Sequence, residues 1–195
     1  MTARRRIYGG AGCALALLVG IGCLAQAGWI HAKAALAQAL VGHAFERALE
    51  GDEDARPWPW ADTRPVARLR FPGVDDALIV LAGASGRNLA FGPVHDPASV
   101  PPGEPGNSVI AAHRDTHFKV LEGLRVGDLL GVERADGRNF EFVVTAIEIV
   151  DSRRARIALD SDTSRLTLVT CYPFDALVAS GPMRFVVTAD PAGRF

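Results

Sequence analysis

The stretch FEFVVTAIEIVDSRRARIALDSDTSRLTLVTCYPFDALVASGPMRFVVTA, residues 140–189, decides the fold class. It contains three apolar runs, FEFVVTAIEIV (140–150), RLTLVT (165–170) and MRFVVTA (183–189), rich in Val, Ile, Thr and Phe. β-Branched and aromatic side chains fit a pleated, half-buried surface, so each run is expected to be a strand. Asp, Ser, Arg, Pro and Gly separate the runs and make loops there.

The pattern extends toward the N-terminus. VARLRF (66–71), ALIVL (77–81), SVIAA (108–112) and DLLGVER (128–134) are four more expected strands. Asp136-Gly137 marks a tight hairpin before the first run of the opening stretch. Short helices fit near Ser85–Ala90 and Phe118–Leu124. Seven or eight strands in about 130 residues imply a mainly β domain, closed or sandwiched. Parallel α/β architecture is disfavoured, because no helix of crossover length separates the strands.

Composition narrows the function. The 195 residues carry 21 Lys and Arg against 22 Asp and Glu, a net charge of −1. No basic surface is left over for nucleic acid. The hydrophobic share of 49% includes one N-terminal block that is not core. No repeat or low-complexity tract is present, which excludes solenoid and disordered classes.

That block follows Arg4, Arg5 and Arg6 and runs from Ile7 to Ile30, with Gln26 its only strongly polar member. As a helix it would span about 36 Å, enough to cross a bilayer. The arginines should stay cytoplasmic, placing everything after Ile30 outside, with Trp29 at the far interface. Ala25-Gln26-Ala27 resembles a signal-peptidase site, but the run is longer than a usual signal-peptide core, which favours an uncleaved single-pass anchor. Residues 1–30 are therefore expected to form the cytoplasmic tip and anchor. Residues 31–56 would be a juxtamembrane helix and linker, and 57–195 an exported domain. Leu36, Leu40, Ala44 and Ala48 share one stripe of the 31–50 helix, as a stalk would have. Trp58 and Trp60, in a Pro-rich linker, are expected to fold back onto the domain or to touch lipid headgroups or a partner.

Cys13 and Cys23 fall inside the membrane run, so Cys171 is alone in an oxidising compartment. It closes the run RLTLVT. His113 closes SVIAA, and Arg184 opens the last strand. A thiolate is a nucleophile, an imidazole can carry its proton, and a guanidinium can donate to a substrate carbonyl and a developing oxyanion. Taken singly, Cys171 could be a small buried hydrophobe, His113 a strand-end hydrogen-bonding group and Arg184 a surface charge. Together they point to nucleophilic catalysis. His113 and His117, with Asp115 between, have a spacing that holds zinc on a helix, but the preceding residues are expected to be strand and no Glu adjoins His113. Asp75-Asp76 and Asp160 with Asp162 are too sparse for calcium. No metal or cofactor is expected, and His117 is assigned to the pocket.

TLVTC (167–171) matches the TLxTC signature of sortases, the cysteine transpeptidases of bacterial surfaces, with His113 upstream and Arg184 downstream in the sortase order. PWPWADTRPVARL (57–69), HRDTHF (113–118), TCYPFDA (170–176) and GPMRFVV (181–187) resemble the class GN sortases of Gram-negative proteobacteria. The resemblance implies an eight-stranded closed β-barrel with short helices behind an inner-membrane anchor, its catalytic domain periplasmic. It implies that Cys171 attacks an LPxTG-like C-terminal sorting signal of an exported client, forming a thioester that an amine resolves. His113 would be the acid/base and Arg184 the oxyanion and substrate ligand. Thr170, His117 and Tyr172 would contact substrate, and the loop DSRRARIALDSDTS (151–164) would shape signal recognition. Ala112 departs from the Gly that many sortases carry before the histidine. A cysteine endopeptidase of the same fold, hydrolysing its thioester, uses the same residues. A non-enzymatic envelope-binding β-domain is the remaining alternative.

Overall fold

A computed structural model describes residues 2–83, 85–176 and 181–193, with side chains from Leu17 onward. The chain divides into two units, Met1–Ala39 and Leu40–Phe195. The side chains of Arg4, Arg5, Arg6 and Cys13 lie outside the described ones.

Helix α1 covers Thr2–Leu49. In the first unit Leu17, Leu18, Ile21, Leu24, Trp29 and Ile30 are exposed. Between Leu17 and Leu49 the helix contains an 18-residue window of mean hydropathy 1.2, none of it buried. It is long and apolar enough to cross a bilayer. Lys33 Nζ stands 5.6 Å from the centroid of the Trp29 ring, within cation–π range.

The second unit begins with the last turns of α1. Val41, Ala44 and Phe45 are buried, and Val41 packs with Leu81 and Val94. Arg68 lies over the Phe45 ring at 4.5 Å and pairs with Glu46 and Glu133. The end of the helix is thus a packing element and not a stalk, and its buried face is Val41–Ala44–Phe45. The linker tryptophans part company. Trp58 packs edge-on to Phe91 at 5.0 Å, whereas Trp60 is 82% exposed.

Eight strands follow: β1 Pro65–Arg70, β2 Leu78–Ala82, β3 Val94–His95, β4 Gly106–Ala111, β5 Leu129–Arg134, β6 Asn139–Asp151, β7 Ser164–Cys171 and β8 Met183–Pro191. They close into a barrel in the order β1-β2-β3-β4-β7-β8-β6-β5. Closure removes the sheet edges that would otherwise expose unpaired backbone. Alternate residues fill the interior, among them Leu69, Ile110, Leu130, Val132, Phe142, Leu166, Leu168 and Val187. Phe71 and Phe118 meet edge-to-face at 6.5 Å and close the end where β1 and β4 finish.

Seven of the strands coincide with the expected runs to within two residues at each end. β3 was not anticipated, since two residues carry no periodic signal. The two expected helices are 3₁₀ turns, Asn88–Ala90 and His117–Gly123, the second kinked at Phe118. Two pairs, β2–β3 and β4–β7, are parallel. No crossover helix is needed, because the β5–β6 hairpin itself makes the long connection from β4 to β7.

Candidate active site

The site follows from strand alternation and register. On β4, Ile110 and Ala112 face the core; on β7, Leu166 and Leu168 do; on β8, Val187 and Ala189 do. Successive side chains point to opposite faces, so Asn107 on β4, Thr167 and Cys171 on β7, and Arg184 on β8 fall on the outer face. Cys171 is the direct cross-strand partner of Arg184. The parallel register pairs Ala111 with Val169, so two residues further on His113 and Cys171 stand level at the ends of neighbouring strands. Cys171 and Arg184 thus lie on one face, at one level, of the adjacent strands β7 and β8, and His113 stands in the loop directly after β4, the parallel neighbour of β7.

Each candidate has a distinct environment. Cys171 is half-buried with a free thiol. His113 is exposed, and its backbone carbonyl accepts the N–H of Phe118 at 3.0 Å, anchoring the turn that follows. Arg184 Nη1 donates to the carbonyls of Gly181 (2.8 Å) and Met183 (2.9 Å), which fixes the guanidinium against the turn entering β8. Thr170 lies on the inner face, 2% exposed, and its hydroxyl donates to Ala112 O at 2.8 Å. It ties the end of β7 to the residue before His113. Tyr172 is half-buried, stacked on Phe185 at 6.4 Å and edge-on to Phe174 at 6.3 Å. Phe174 and Phe185 pack in turn against the core.

His117 lies in the 3₁₀ turn and His113 in the loop before it, so the two do not share a helix face. Burial, and secondarily the charge of His113, hold His117 below the ordinary imidazole value of 6.5. His117 is therefore neutral at pH 7. Among the described residues no group of three or more His, Cys, Asp or Glu side chains stands together as metal ligands would.

Two positioning residues were not anticipated. Arg114 is only 7% exposed, and its Nη2 donates to Ala176 O at 2.9 Å. It joins the loop carrying His113 to the loop following Cys171. An arginine in a loop ordinarily signals solvent, so only its adjacency to His113 marked it. Asn107, 4% exposed, accepts the Thr167 hydroxyl at 2.8 Å and donates Nδ2 to Ala158 O at 2.8 Å. Its backbone N–H also donates to Leu159 O at 2.8 Å. Residues 152–163 are thereby fastened over the outer face of β4 and β7. Gly106, at φ +121°, lets the loop pass close: an added Cβ would stand 3.0 Å from Val100 and 3.5 Å from Leu159 O. A polar Asn at the start of an apolar strand was the available signal.

Residues 69–192 match the family model described as Sortase domain. The chain belongs to the sortase family. Sortase D of Bacillus subtilis (strain 168) is 32% identical over 120 residues, which make up 61% of this chain and 60% of that protein. This sortase thus spans less than two thirds of that relative. In fold it is similar to sortase A of Corynebacterium diphtheriae, with TM-score 0.61, 22% identity and coverage of 83% of this chain and 86% of that one. It is also similar to a Clostridium perfringens sortase D5 transpeptidase, with TM-score 0.58, 21% identity and coverage of 78% and 89%. The sortase barrel here accommodates Ala112 without backbone strain, since among the described residues none other than glycine has positive φ.

Proposed function

We propose that this sortase is a membrane-anchored cysteine transpeptidase that cleaves an LPxTG-like sorting signal and transfers the acyl group to an amine. The observation that supports the reading is the cross-strand pairing of Cys171 with Arg184, with His113 following directly on the end of β4, the parallel neighbour of β7. The thiolate of Cys171 attacks the carbonyl carbon of the signal's threonine, and Arg184 donates hydrogen bonds to the oxyanion. The tetrahedral intermediate collapses, the C–N bond breaks, and His113 delivers a proton to the departing amine. A thioester remains. An incoming amine attacks it, His113 takes the amine's proton, and the thiolate leaves with a new amide formed. His117 and Tyr172 line the pocket, and Thr170 holds the adjoining backbone.

Arg4–Arg6 before the apolar run support a single-pass orientation with the barrel outside the cytoplasm. The class GN strings support the periplasmic face of a Gram-negative inner membrane, with an exported client bearing a C-terminal sorting signal as partner.

Intact mass of the detergent-solubilised chain, mixed with an LPxTG-type peptide, tests the reading. The expected result is a gain equal to the peptide up to its threonine, absent in Cys171→Ala and discharged by an added amine into a ligated peptide. Discharge to free acid alone, with amine present, would instead establish a protease. An adduct surviving Cys171→Ala would overturn the assignment of the nucleophile.

A further inference from the structure

The loop from β6 to β7 carries its charges unevenly. Its first part holds Arg153, Arg154 and Arg156; its last part holds Asp160 and Asp162. Arg153 is neutralised by Asp151 at 2.6 Å. Among the described residues, no carboxylate lies within 4.0 Å of Arg154, Arg156 or Arg184. Arg156 bonds only locally, to Ala155 O at 2.9 Å.

Arg184 and Arg154 lie at the end of the barrel where β6 finishes, and Arg156 lies two residues further along the segment. β6 ends beside β8, with Val150 opposite Arg184 and Asp151 opposite Met183, and Arg154 follows three residues later. The segment is held at both ends. Ser152 N–H donates to Pro182 O at 2.8 Å, Arg154 and Ala155 N–H donate to Asp151 O at 2.9 and 2.8 Å, and Asn107 fastens Ala158 and Leu159. Arg154 and Arg156 are exposed on a backbone that hydrogen bonds hold in place. Asp115 and Asp175 stand on the other loops of this end, where Lys119 is paired with Glu122 at 2.5 Å and Arg125 is exposed.

We propose that Arg154 and Arg156 form a carboxylate-reading rim beside the catalytic groups, and that the sorting signal taken by this sortase carries acidic side chains next to its cleaved core. The inference rests on the transpeptidase reading above. An acidic peptide supplies the counter-charges that the barrel withholds, and a guanidinium donates to a carboxylate bidentately.

The test compares peptides sharing one LPxTG-type core, with Glu, Gln or Lys at the variable position and at the residue before the motif. Detergent-solubilised wild-type chain is assayed beside Arg154→Glu/Arg156→Glu, at low and high salt. Wild type should favour the Glu peptide over the Lys peptide by roughly three- to tenfold in kcat/KM at low salt, as two exposed charge pairs allow. High salt should shrink the ratio, and the double variant should invert it. Equal kcat/KM for Glu and Lys peptides in wild type, or a preference the variant leaves unchanged, overturns the inference. In that case thioester formation on Cys171 with every peptide leaves the transpeptidase reading standing. No thioester with any peptide overturns both.

Discussion

The two ends of the barrel handle arginine in opposite ways. At the end where β5 turns into β6, Arg134 meets Glu104 and Asp136, each at 2.7 Å, and Arg138 meets the same two carboxylates at 3.0 Å. The hydrogen bond from Arg134 leads the effects that hold Glu104 below the usual carboxylate range. At the end where β4, β6 and β7 finish, Arg153 meets Asp151 at 2.6 Å, but among the described residues no carboxylate lies within 4.0 Å of Arg184 or Arg154. Paired charges on a surface contribute little to stability but fix a local shape. Unpaired guanidinium groups keep their hydrogen-bonding capacity for a ligand. The contrast assigns one end of the barrel to structure and the other to chemistry.

Breaking the chemical end should give the largest effect. Arg184→Ala removes the guanidinium directly across from Cys171, and under the proposed mechanism kcat should fall by about 10²–10³-fold, the cost of losing an oxyanion donor. Arg184→Lys should recover only part, because an ammonium lacks the planar fork. Steady-state kinetics on the two variants, with urea unfolding as control, check this. Near-wild-type turnover in Arg184→Ala would remove the residue from the mechanism.

The β6–β7 loop joins the two ends, and Asn107 is its fastening. Asn107→Ala strands the Thr167 hydroxyl and the Ala158 carbonyl, and should cost about 1–3 kcal/mol in unfolding free energy. It should also raise KM more than it lowers kcat, because it loosens the loop without touching the reacting atoms. Asn107→Asp keeps the acceptor for Thr167 and loses the donor to Ala158. It should therefore restore the contact within the barrel and not the grip on the loop. A kcat defect in Asn107→Ala with KM unchanged would exclude the positioning role.

At the structural end the expected effect is smaller. Arg134→Ala leaves Glu104 and Asp136 with Arg138 as their only partner among the described residues, which should lower the urea midpoint slightly and leave kcat/KM in place. A marked loss of turnover would show that the two ends are coupled.

What the sequence made legible follows the same division. Cys171, His113 and Arg184 were readable because each sits at a strand end and because TLVTC is a motif in one continuous run. The barrel interior was readable from alternation in ALIVL and DLLGVER. Burial on both faces of β7 was not: Thr167 and Leu166 are both buried, the first only because a distant loop and Asn107 cover the outer face. Arg114 was missed for the same reason, as its partner is the carbonyl of Ala176, 62 residues away. The end of α1 was expected to stand clear, but Phe45 finds its cover in Arg68, on a strand whose register the sequence does not encode locally. Contacts made by backbone carbonyls across long separations leave no trace in residue type.

The smallest predicted effect concerns the histidine pair at the chemical end. Burial, then the charge of His113, keeps His117 below 6.5, so the unfolded chain takes up a proton there before the folded chain does. Stability contributed by neutral His117 is complete above pH 6.5 and is lost progressively as pH falls through and below that value. His117→Gln cannot titrate, so its urea midpoint should decline less than wild type's between pH 7.5 and 5.5. An unchanged slope would show that His117 ionises as freely in the fold as outside it. The second cause can be separated from the first. In His113→Gln the NMR titration of His117 should move only part of the way back toward 6.5, since burial is the larger contribution and remains. Full return would reverse that order, making charge repulsion and not burial the main reason that His117 lies below 6.5.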